Sequence, residues 1–483
     1  MRTQLWIDGQ WSDAASGETF STENPATGEV LAQVAAGDAA DINRAVAAAR
    51  AAFRDPAWRR MNPHRRAELL WALSDLIEAN AEELALLETL DNGKPLFESR
   101  EVDLPSVVEN FRYFAGIADK LHGETIPVAG SFLNYTLREP LGVVGCIIPW
   151  NFPLSMAVWK AAPALACGNT VVLKPAEQTP LSALRLGELA GEAGFPPGVL
   201  NVVPGFGETA GAALVRHPGV DAISFTGSTE VGRVVMRDAA ETLKKVSLEL
   251  GGKSPNIVFA DADLGAAVKG AASGIYYGKG EVCAAGSRVL VERAVYDEFV
   301  ERFRARSERA TVGDPMDPGT RIGALVSEAQ LERVLGYVER GRAEGARLVT
   351  GGRRVQVKGR GWFVEPTVFA DVLPSMTIAR EEIFGPVAAV MPFDDLEDAV
   401  AKANDTHFGL AAGVWTRDVA KAHRMAEELE AGTVWINSYN QYDSASPFGG
   451  YKQSGFGRDL GWGSALEKYT QVKSVWVALE RGS

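Results

Sequence analysis

The chain has 483 residues, of which 46% are hydrophobic and 23% are charged. These fractions are typical of globular proteins and exclude disordered and fibrous classes, and the length predicts about three domains. Acidic residues outnumber basic ones by 62 to 49, and the resulting net charge of −13 argues against nucleic acid as a partner.

The N-terminal part of the sequence predicts a hairpin followed by helices. Asp8-Gly9 lies between two short apolar runs and favours the positive φ angles of a tight hairpin turn. Over residues 38–90, apolar side chains recur at helical spacing. Asp38 and Asp41 are the candidate N-caps of this region, and Asp91-Asn92-Gly93 is its predicted end.

Residues 140–168 form an almost wholly apolar stretch that is long enough to cross a bilayer. Three prolines interrupt it, and Asn151 and Lys160 would be costly in lipid. We therefore expect a buried strand, a loop and a buried helix here, and no membrane partner. The first residues lack the apolar core of a signal peptide, which favours a cytoplasmic protein.

From residue 141 onward, short strands rich in valine and isoleucine alternate with helical segments. Uninterrupted apolar strands separated by helices indicate a parallel sheet that is covered on both faces. A second alternating set starts after Leu250-Gly251-Gly252-Lys253 and ends near Trp435. The sequence thus predicts an α/β fold with two doubly wound parallel-sheet domains. The predicted domains are 1–121 with 141–251, then 252–446, while 447–467 is a returning segment.

Two strand-like segments, Ser131–Arg138 and Gln471–Leu479, have no evident place in either sheet. Exposed strand edges are normally paired or covered. We predict that regions 122–140 and 468–483 form a small β-ribbon that joins copies of the chain into a homodimer or homotetramer. The alternative is a ribbon that serves only its own chain.

Glycine-rich loops follow two of the predicted strands. Gly205–Gly211, which includes Gly207, resembles a dinucleotide loop but misses the usual glycine spacing by one residue. Phe225–Gly232 places Gly227 and Ser228 at a helix N-terminus, where a phosphate is favoured. Taken alone, each loop is more often an ordinary turn between a strand and a helix.

Lys174 and Glu177 follow another predicted strand at its carboxyl end, the side on which open α/β sheets bind ligands. A carboxylate at this place suits the hydroxyls of a ribose and would repel a 2′-phosphate. Without further context, an exposed turn with a solvated ion pair is the simpler interpretation.

The three cysteines match neither a disulfide framework nor a metal site, and we expect no metal. Cys146 and Cys167 lie in apolar segments that are typical of buried packing, whereas Cys283 lies among small residues in a glycine-rich loop. A substrate could reach a thiol in such a loop. Asn151, an amide among hydrophobic residues, and Glu249, at the end of a predicted strand, would add an oxyanion donor and a base.

A papain-like cysteine hydrolase is the alternative at this point. His407 and Asn437 follow the cysteine in a permissible order, but no papain-type signature surrounds Cys283.

The chain resembles the NAD(P)-dependent aldehyde dehydrogenase superfamily over nearly its whole length. The resemblance rests on seven segments in the family's order, which are IIPWNFPLSMAVWK (147–160), VVLKPAEQTPLSAL (171–184), FTGSTEVG (225–232), LELGGKSPNIVF (248–259), GEVCAAGSR (280–288), EEIFGPV (381–387) and PFGGYKQSGFGRDLG (447–461). It implies a Rossmann-like NAD-binding domain, a catalytic domain and an oligomerisation ribbon.

This resemblance also implies a role for individual positions. The implied catalytic residues are Cys283 as nucleophile, Asn151 as oxyanion donor, Glu249 as general base, and the pair Lys160 and Glu467 as helpers in proton release. The implied contacts of the cofactor, NAD or NADP, are Ile148, Pro149, Trp150, Lys174, Glu177, Gly207, Phe225, Gly227, Ser228, Leu250, Glu382 and Phe384. The implied substrate contacts are Tyr113, Phe152, Met156, Trp159, Val282, Ala284, Tyr442 and Phe448.

The expected reaction is oxidation of an aldehyde to the carboxylic acid through a thiohemiacetal and a thioester on Cys283. Glu177 favours NAD over NADP, and the aromatic substrate positions favour an apolar or aromatic aldehyde. Gly278-Lys279-Gly280 departs from the Asn-x-Gly of many relatives, which puts the rigidity of the thiol loop and the thiol pKa in question.

Three other functions compete with this prediction. One is thiolysis by coenzyme A, which would not need a base at Glu249. The others are a cysteine hydrolase without redox chemistry and a structural protein on a scaffold that has lost its activity.

Overall fold

The computed structural model describes residues 2–479, so the last four residues of the predicted ribbon region 468–483 lie outside the described residues. The fold is α/β with two large, mainly parallel sheets, as the alternation of strands and helices predicted. A separate ribbon and three short strand pairs complete the sheets of the described chain. The short pairs are Thr19–Asn24 with Glu29–Ala35, Arg354–Val357 with Arg360–Val364, and Phe408–Gly409 with Tyr451–Lys452.

The first large sheet contains eight strands within residues 2–479, and its five central strands are parallel. In spatial order the strands are Gln10–Ser12, Leu5–Ile7, Leu200–Val202, Thr170–Lys174, Val143–Ile147, Ala222–Thr226, Lys245–Glu249 and Gly455–Phe456. The strand order reverses beside Val143–Ile147, because the chain adds strands first on one side of it and then on the other. Open α/β sheets bind ligands in the crevice at such a reversal.

The turn and cap residues predicted from the sequence have the expected conformations. Asp8 and Gly9 have φ angles of 54° and 71° in the N-terminal hairpin. Asp38 caps the first helix, where it forms a capping box with Asp41. The helix Ala81–Asn92 ends at Gly93, which has a φ angle of 84°.

Helices cover both faces of the first sheet. They are Ala39–Arg54, Pro56–Arg59, Pro63–Ala79, Ala81–Asn92, Leu96–Glu98, Leu104–Ile117, Pro153–Ala166, Leu181–Glu192, Ala212–Arg216 and Thr229–Ala239, with π-helical turns at Ser99–Asp103 and Gly207–Gly211 and a 3-10 turn at Ala240–Thr242. The apolar stretch 140–168 is divided into a strand, a loop and the buried helix Pro153–Ala166, as predicted. Across residues 2–479, no helix has the length and apolar character needed to cross a membrane.

The second large sheet lies in the second half of the chain. Its strands in spatial order are Arg347–Thr350, Thr367–Ala370, Val387–Phe393, Arg288–Glu292, Pro255–Val258, Ala411–Trp415 and Thr433–Ile436. Its helices are Leu264–Tyr276, Tyr277–Gly280, Arg293–Val295, Tyr296–Ser307, Glu328–Ala343, Thr377–Arg380, Leu396–Asn404 and Val419–Glu428, of which the second and third are 3-10 turns.

The two unplaced strand segments pair with each other. Phe132–Pro140 and Thr470–Ala478 form an antiparallel ribbon within the chain, and the short strand Thr125–Ile126 extends it. The ribbon leaves large apolar side chains exposed, including Phe132 and Trp476, whose rings pack against each other.

The segment 447–467 returns to the first sheet. Its strand Gly455–Phe456 pairs antiparallel with the end of Lys245–Glu249, and the helix Trp462–Tyr469 then leads to the ribbon. Residues from near the end of the described chain therefore lie beside Glu249.

Candidate active site

A cavity of about 1040 Å³ lies where loops at the carboxyl edge of the first sheet meet loops of the second domain. Of the predicted site residues, those that line it are Cys283, Glu249, Asn151, Pro149, Trp150, Gly227, Ser228, Leu250, Glu382, Phe384, Phe152, Met156, Trp159, Val282, Tyr442 and Phe448. Those outside its lining are Lys160, Glu467, Ile148, Lys174, Glu177, Gly207, Phe225, Tyr113 and Ala284.

Cys283 lies in a turn between the 3-10 helix Tyr277–Gly280 and the strand Arg288–Glu292, and its side chain is partly buried. Burial raises the pKa of this thiol to about 12, and the carboxylates of Glu382 and Glu249 add to the rise. The thiol is therefore protonated at neutral pH. Cys146 and Cys167 are buried, as their apolar surroundings predicted.

Asn151 is buried in the loop between the strand Val143–Ile147 and the helix Pro153–Ala166. Its Nδ2 donates a hydrogen bond of 2.8 Å to the carbonyl of Glu281, two residues before the thiol. An amide nitrogen carries two hydrogens, so a second N–H remains available to a ligand in the cavity.

Glu249 ends the strand Lys245–Glu249, and its side chain is buried. Neither carboxylate oxygen has a hydrogen-bond partner among residues 2–479. Burial raises the pKa of Glu249 well above its ordinary value, and the negative charge of Asp459 raises it further. Gly449 gives the carboxylate room, since a Cβ at that position would lie 2.6 Å from Oε1. Such a carboxyl group is a strong base once it is ionised.

The predicted partner of Lys160 was wrong. Lys160 forms a buried ion pair of 2.9 Å with Asp459, whereas Glu467 is exposed on the helix Trp462–Tyr469. Lys468 binds the other oxygen of Asp459. Burial alone would raise the pKa of Asp459, but the two ammonium groups outweigh it and lower the pKa.

Asp459→Asn should lower the free energy of unfolding by about 3–5 kcal/mol, because it leaves two buried lysines without a counter-charge. Urea unfolding measures this change. Glu467→Gln is the matched control and should leave the midpoint unchanged, since that side chain is exposed. Equal midpoints for all three proteins would contradict the assigned ion pair.

At one end of the cavity, Glu382 and Phe384 form a wall. Glu382 accepts a hydrogen bond of 2.8 Å from the backbone N–H of Gly252, and burial raises its pKa to about 7. Phe384 has a φ angle of 62° and packs edge-on against Trp150, with 5.2 Å between ring centroids. Gln330 donates a hydrogen bond to the Phe384 carbonyl, a support that the sequence analysis missed.

Several of the predicted nucleotide contacts lie at the carboxyl edge of the first sheet. Gly227 and Ser228 follow the strand Ala222–Thr226, and the Ser228 hydroxyl caps the helix Thr229–Ala239. The helix therefore directs free backbone N–H groups and the positive end of its dipole to the cavity. Lys174 and Glu177 pair at 3.2 Å beyond the cavity lining, at the end of Thr170–Lys174.

Aromatic rings form another part of the cavity wall, called the aromatic end below. Trp159, Tyr442 and Phe448 pack mutually with ring centroids 5.4–5.9 Å apart. Tyr113 packs on Phe114 outside this lining. The carbonyl of Ala284 accepts a hydrogen bond from Tyr439, so this residue faces the protein interior.

Of the other carboxylates that line the cavity, Asp103 and Asp459 are neutralised by buried lysines. Asp103 binds Lys94 at 2.6 Å and accepts a hydrogen bond of 2.9 Å from Tyr277. The aromatic end therefore offers a ligand apolar surface and hydroxyl groups rather than an unpaired charge.

Comparison with known proteins identifies the class. The sequence pattern of the aldehyde dehydrogenase family matches residues 11–475, and the chain belongs to this family. It is thus an oxidoreductase of the class that acts on aldehydes.

Individual relatives are similar over almost their full length. The human mitochondrial aldehyde dehydrogenase is 54% identical over 98% of this chain and 92% of its own. The NAD+ complex of a Bacillus cereus aldehyde dehydrogenase has a TM-score of 0.97 at 53% identity, over 99% of this chain and 97% of its own. An indole-3-acetaldehyde dehydrogenase from P. syringae, solved with NAD+, has a TM-score of 0.97 at 50% identity, over 99% and 97% of the two chains.

Proposed function

We propose that this enzyme oxidises an aldehyde to the carboxylic acid with NAD+, using Cys283 as nucleophile, Asn151 as oxyanion donor and Glu249 as general base. The observation that carries the proposal is that all three side chains line one cavity, between a helix N-terminus and an aromatic pocket. The family and the NAD+ complexes of its similar structures support it.

The residues present fit a dinucleotide. Gly207 is exposed with open space where a Cβ would stand, and the N-terminus of Thr229–Ala239 faces the cavity. Glu177, which pairs with Lys174 at the end of Thr170–Lys174, would accept hydrogen bonds from a ribose, and this favours NAD over NADP. Bound NAD+ would supply the acceptor for the hydride that leaves the substrate carbon.

The chain's own residues perform the remaining steps. The Cys283 thiol loses its proton to solvent, and the thiolate adds to the aldehyde carbon to give a thiohemiacetal, whose oxyanion is stabilised by Asn151 Nδ2 and the Cys283 backbone N–H. Loss of hydride leaves a thioester on the sulfur. Glu249 takes a proton from a water molecule, the hydroxide attacks the thioester carbonyl, and the carboxylic acid leaves as the thiolate re-forms.

Lys160, Asp459 and Lys468 form a buried charge cluster, and their charges change the pKa of Glu249. Asp459 raises the pKa of Glu249, while the two lysines lower it. We infer that this group sets how readily Glu249 accepts and releases the proton, which is the role that the sequence analysis gave to Lys160 and Glu467.

The competing functions fit less well. Thiolysis by coenzyme A needs no base, yet Glu249 is buried and unpaired among the described residues, at a cost that only a chemical role offsets. A simple hydrolase would not need the helix N-terminus that faces the thiol cavity. A scaffold without activity would not need to keep a thiol, an amide and an unpaired carboxylate in one cavity.

The substrate that we propose is an apolar or aromatic aldehyde. Three mutually packed aromatic rings form the wall, and the nearby carboxylates are neutralised by lysines. The indole-3-acetaldehyde dehydrogenase among the similar structures has an aromatic substrate by its name. NADH formation from aliphatic, aromatic and amino-aldehydes tests the proposal, and aromatic aldehydes should give the highest kcat/KM.

We also propose that the ribbon Phe132–Pro140 with Thr470–Ala478 joins copies of the chain into a homodimer or homotetramer. Its exposed apolar residues are Phe132, Leu133, Leu137, Val472, Trp476 and Val477. Such a patch beside the edge strand Thr470–Ala478 favours burial against a second copy. Sedimentation equilibrium should give a multiple of 51.7 kDa, and Trp476→Glu should lower it; a monomer for the unaltered chain would contradict the proposal.

The compartment that we propose is the cytoplasm, because all three cysteines are free and two are buried, as suits a reducing environment.

A further inference from the structure

Two charged residues of the thiol loop are buried, and no step above uses them. Lys279 and Glu281 are each about 1% exposed and stand four and two residues before Cys283. Gly278, Lys279 and Gly280 have φ angles of 54°, 63° and 76°, so three consecutive residues are left-handed. For lysine this conformation costs roughly 1–2 kcal/mol, and it persists only where the surroundings hold it.

The ammonium group of Lys279 binds two partners. It lies 2.7 Å from Glu281 Oε2, and it donates hydrogen bonds of 2.7 and 2.8 Å to the carbonyl and Oδ1 of Asn92. Asn92 in turn donates from Nδ2 to the carbonyl of Trp150, at 2.8 Å. One side of this arrangement therefore fixes the main chain directly before Asn151.

The other side fixes the Asn151 side chain. Asn151 Nδ2 donates to the carbonyl of Glu281 at 2.8 Å, and Glu281 Oε1 accepts a hydrogen bond of 3.0 Å from Val326. The contacts close a ring, which runs through Lys279, Asn92, Trp150, Asn151 and Glu281. The ring joins a helix end, the amide loop and the thiol loop.

We propose that Lys279 and Glu281 are positioning residues, whose ion pair orients the Asn151 amide toward the oxyanion formed at Cys283. The inference rests on the oxyanion role proposed above for Asn151. A buried ion pair contributes little net stability compared with apolar residues of similar size, so stability alone does not account for two charges here. Both residues of the pair are linked to Asn151. Lys279 is linked to its main chain through Asn92 and the Trp150 carbonyl, and Glu281 accepts a hydrogen bond from its amide through the backbone carbonyl.

Lys279→Met tests the proposal, since it keeps the length of the side chain and removes its charge. The burst of NADH in the first turnover measures acylation, and it should slow by roughly 10- to 100-fold, as for a misplaced catalytic group. Lys244→Met is the matched control, because Lys244 is a buried lysine on two carbonyls at the opposite edge of the first sheet. It should lower thermal stability and leave the burst unchanged.

A double-mutant cycle separates positioning from other effects. Asn151→Ala alone should slow the burst by roughly 10²–10³. Adding Lys279→Met to it should then change the rate by less than about twofold, because Lys279 acts only through the missing amide. Lys279→Gln with Glu281→Gln replaces the ion pair by a neutral hydrogen bond and should restore most of the burst.

Two outcomes would overturn the positioning role. One is a normal burst for Lys279→Met beside a slow one for Asn151→Ala; the other is an equal slowing by Lys279→Met in both backgrounds. A normal burst for Asn151→Ala would instead overturn the oxyanion role itself. If Lys279→Met fails to fold, Asn92→Ala replaces it, because this change breaks the same ring. The burst is then measured for Asn92→Ala alone and in combination with Asn151→Ala, and the same outcomes decide.

Discussion

Cys283→Ala should abolish NADH formation with every aldehyde, by roughly 10⁴-fold or more, because no other group can form the covalent intermediate. The variant should still bind NAD+, since the sulfur contacts the substrate carbon rather than the nucleotide. Absorbance at the NADH band measures turnover, and quenching of tryptophan fluorescence measures NAD+ binding. Hydrolysis of an activated ester should disappear in the same variant.

Cys167→Ala is the matched control, because Cys167 is a buried thiol at the end of a helix and does not line the cavity. It should keep full activity. NADH formation that survives Cys283→Ala would remove the thiol from the redox reaction. Ester hydrolysis without NADH formation in the unaltered enzyme would favour a cysteine hydrolase.

Glu249→Gln should keep the first-turnover burst of NADH and lower steady turnover by roughly 10²–10⁴, the contribution of a general base. The unaltered enzyme should speed up as the pH rises, since Glu249 works only when ionised. Because burial and Asp459 raise the pKa of Glu249, the rate should increase at a pH above the range in which an ordinary carboxyl group ionises. Stopped-flow and steady-state rates over a series of pH values measure both effects.

In Glu249→Gln the dependence of the steady rate on this ionisation should vanish. Glu467→Gln serves again as control and should match the unaltered enzyme, since that carboxylate is exposed. Loss of the burst together with turnover would place Glu249 before deacylation, for example as the acceptor of the Cys283 proton.

Most of the fold could be predicted because its signals are local. Buried parallel strands such as Val143–Ile147 and Thr170–Lys174 are continuous apolar runs, and caps such as Asp38 require particular side chains. The partner of the ribbon strand Phe132–Pro140 could not be read in this way. Its pairing with Thr470–Ala478 joins segments more than 300 residues apart, which no local pattern encodes.

The residues of the candidate site also differ in whether a local sequence pattern marks them. Cys283, Asn151 and Glu249 each stand in a motif that marks its residue, and all three meet in the cavity. The family resemblance alone implied Glu467, which is exposed on the helix Trp462–Tyr469, whereas the ion pair of Lys160 forms with Asp459, a residue 299 positions away that no local pattern pairs with it. Asp459 lies inside the segment PFGGYKQSGFGRDLG (447–461). The one feature that marks it there is an acidic side chain among glycines and apolar residues.

Because Gly455–Phe456 pairs with the edge of Lys245–Glu249, this edge of the first sheet is completed late in synthesis. A ribosome makes Lys160 well before its counter-charge, since Asp459 follows 299 residues later. At ~5–20 residues per second, this delay is roughly 15–60 s. In the later part of that interval, the nascent chain carries Cys283 but has neither the edge strand nor the anion beside its base. Its hydrolytic machinery is completed only when Gly455–Phe456, a late segment, folds back onto Lys245–Glu249, a strand from the middle of the chain.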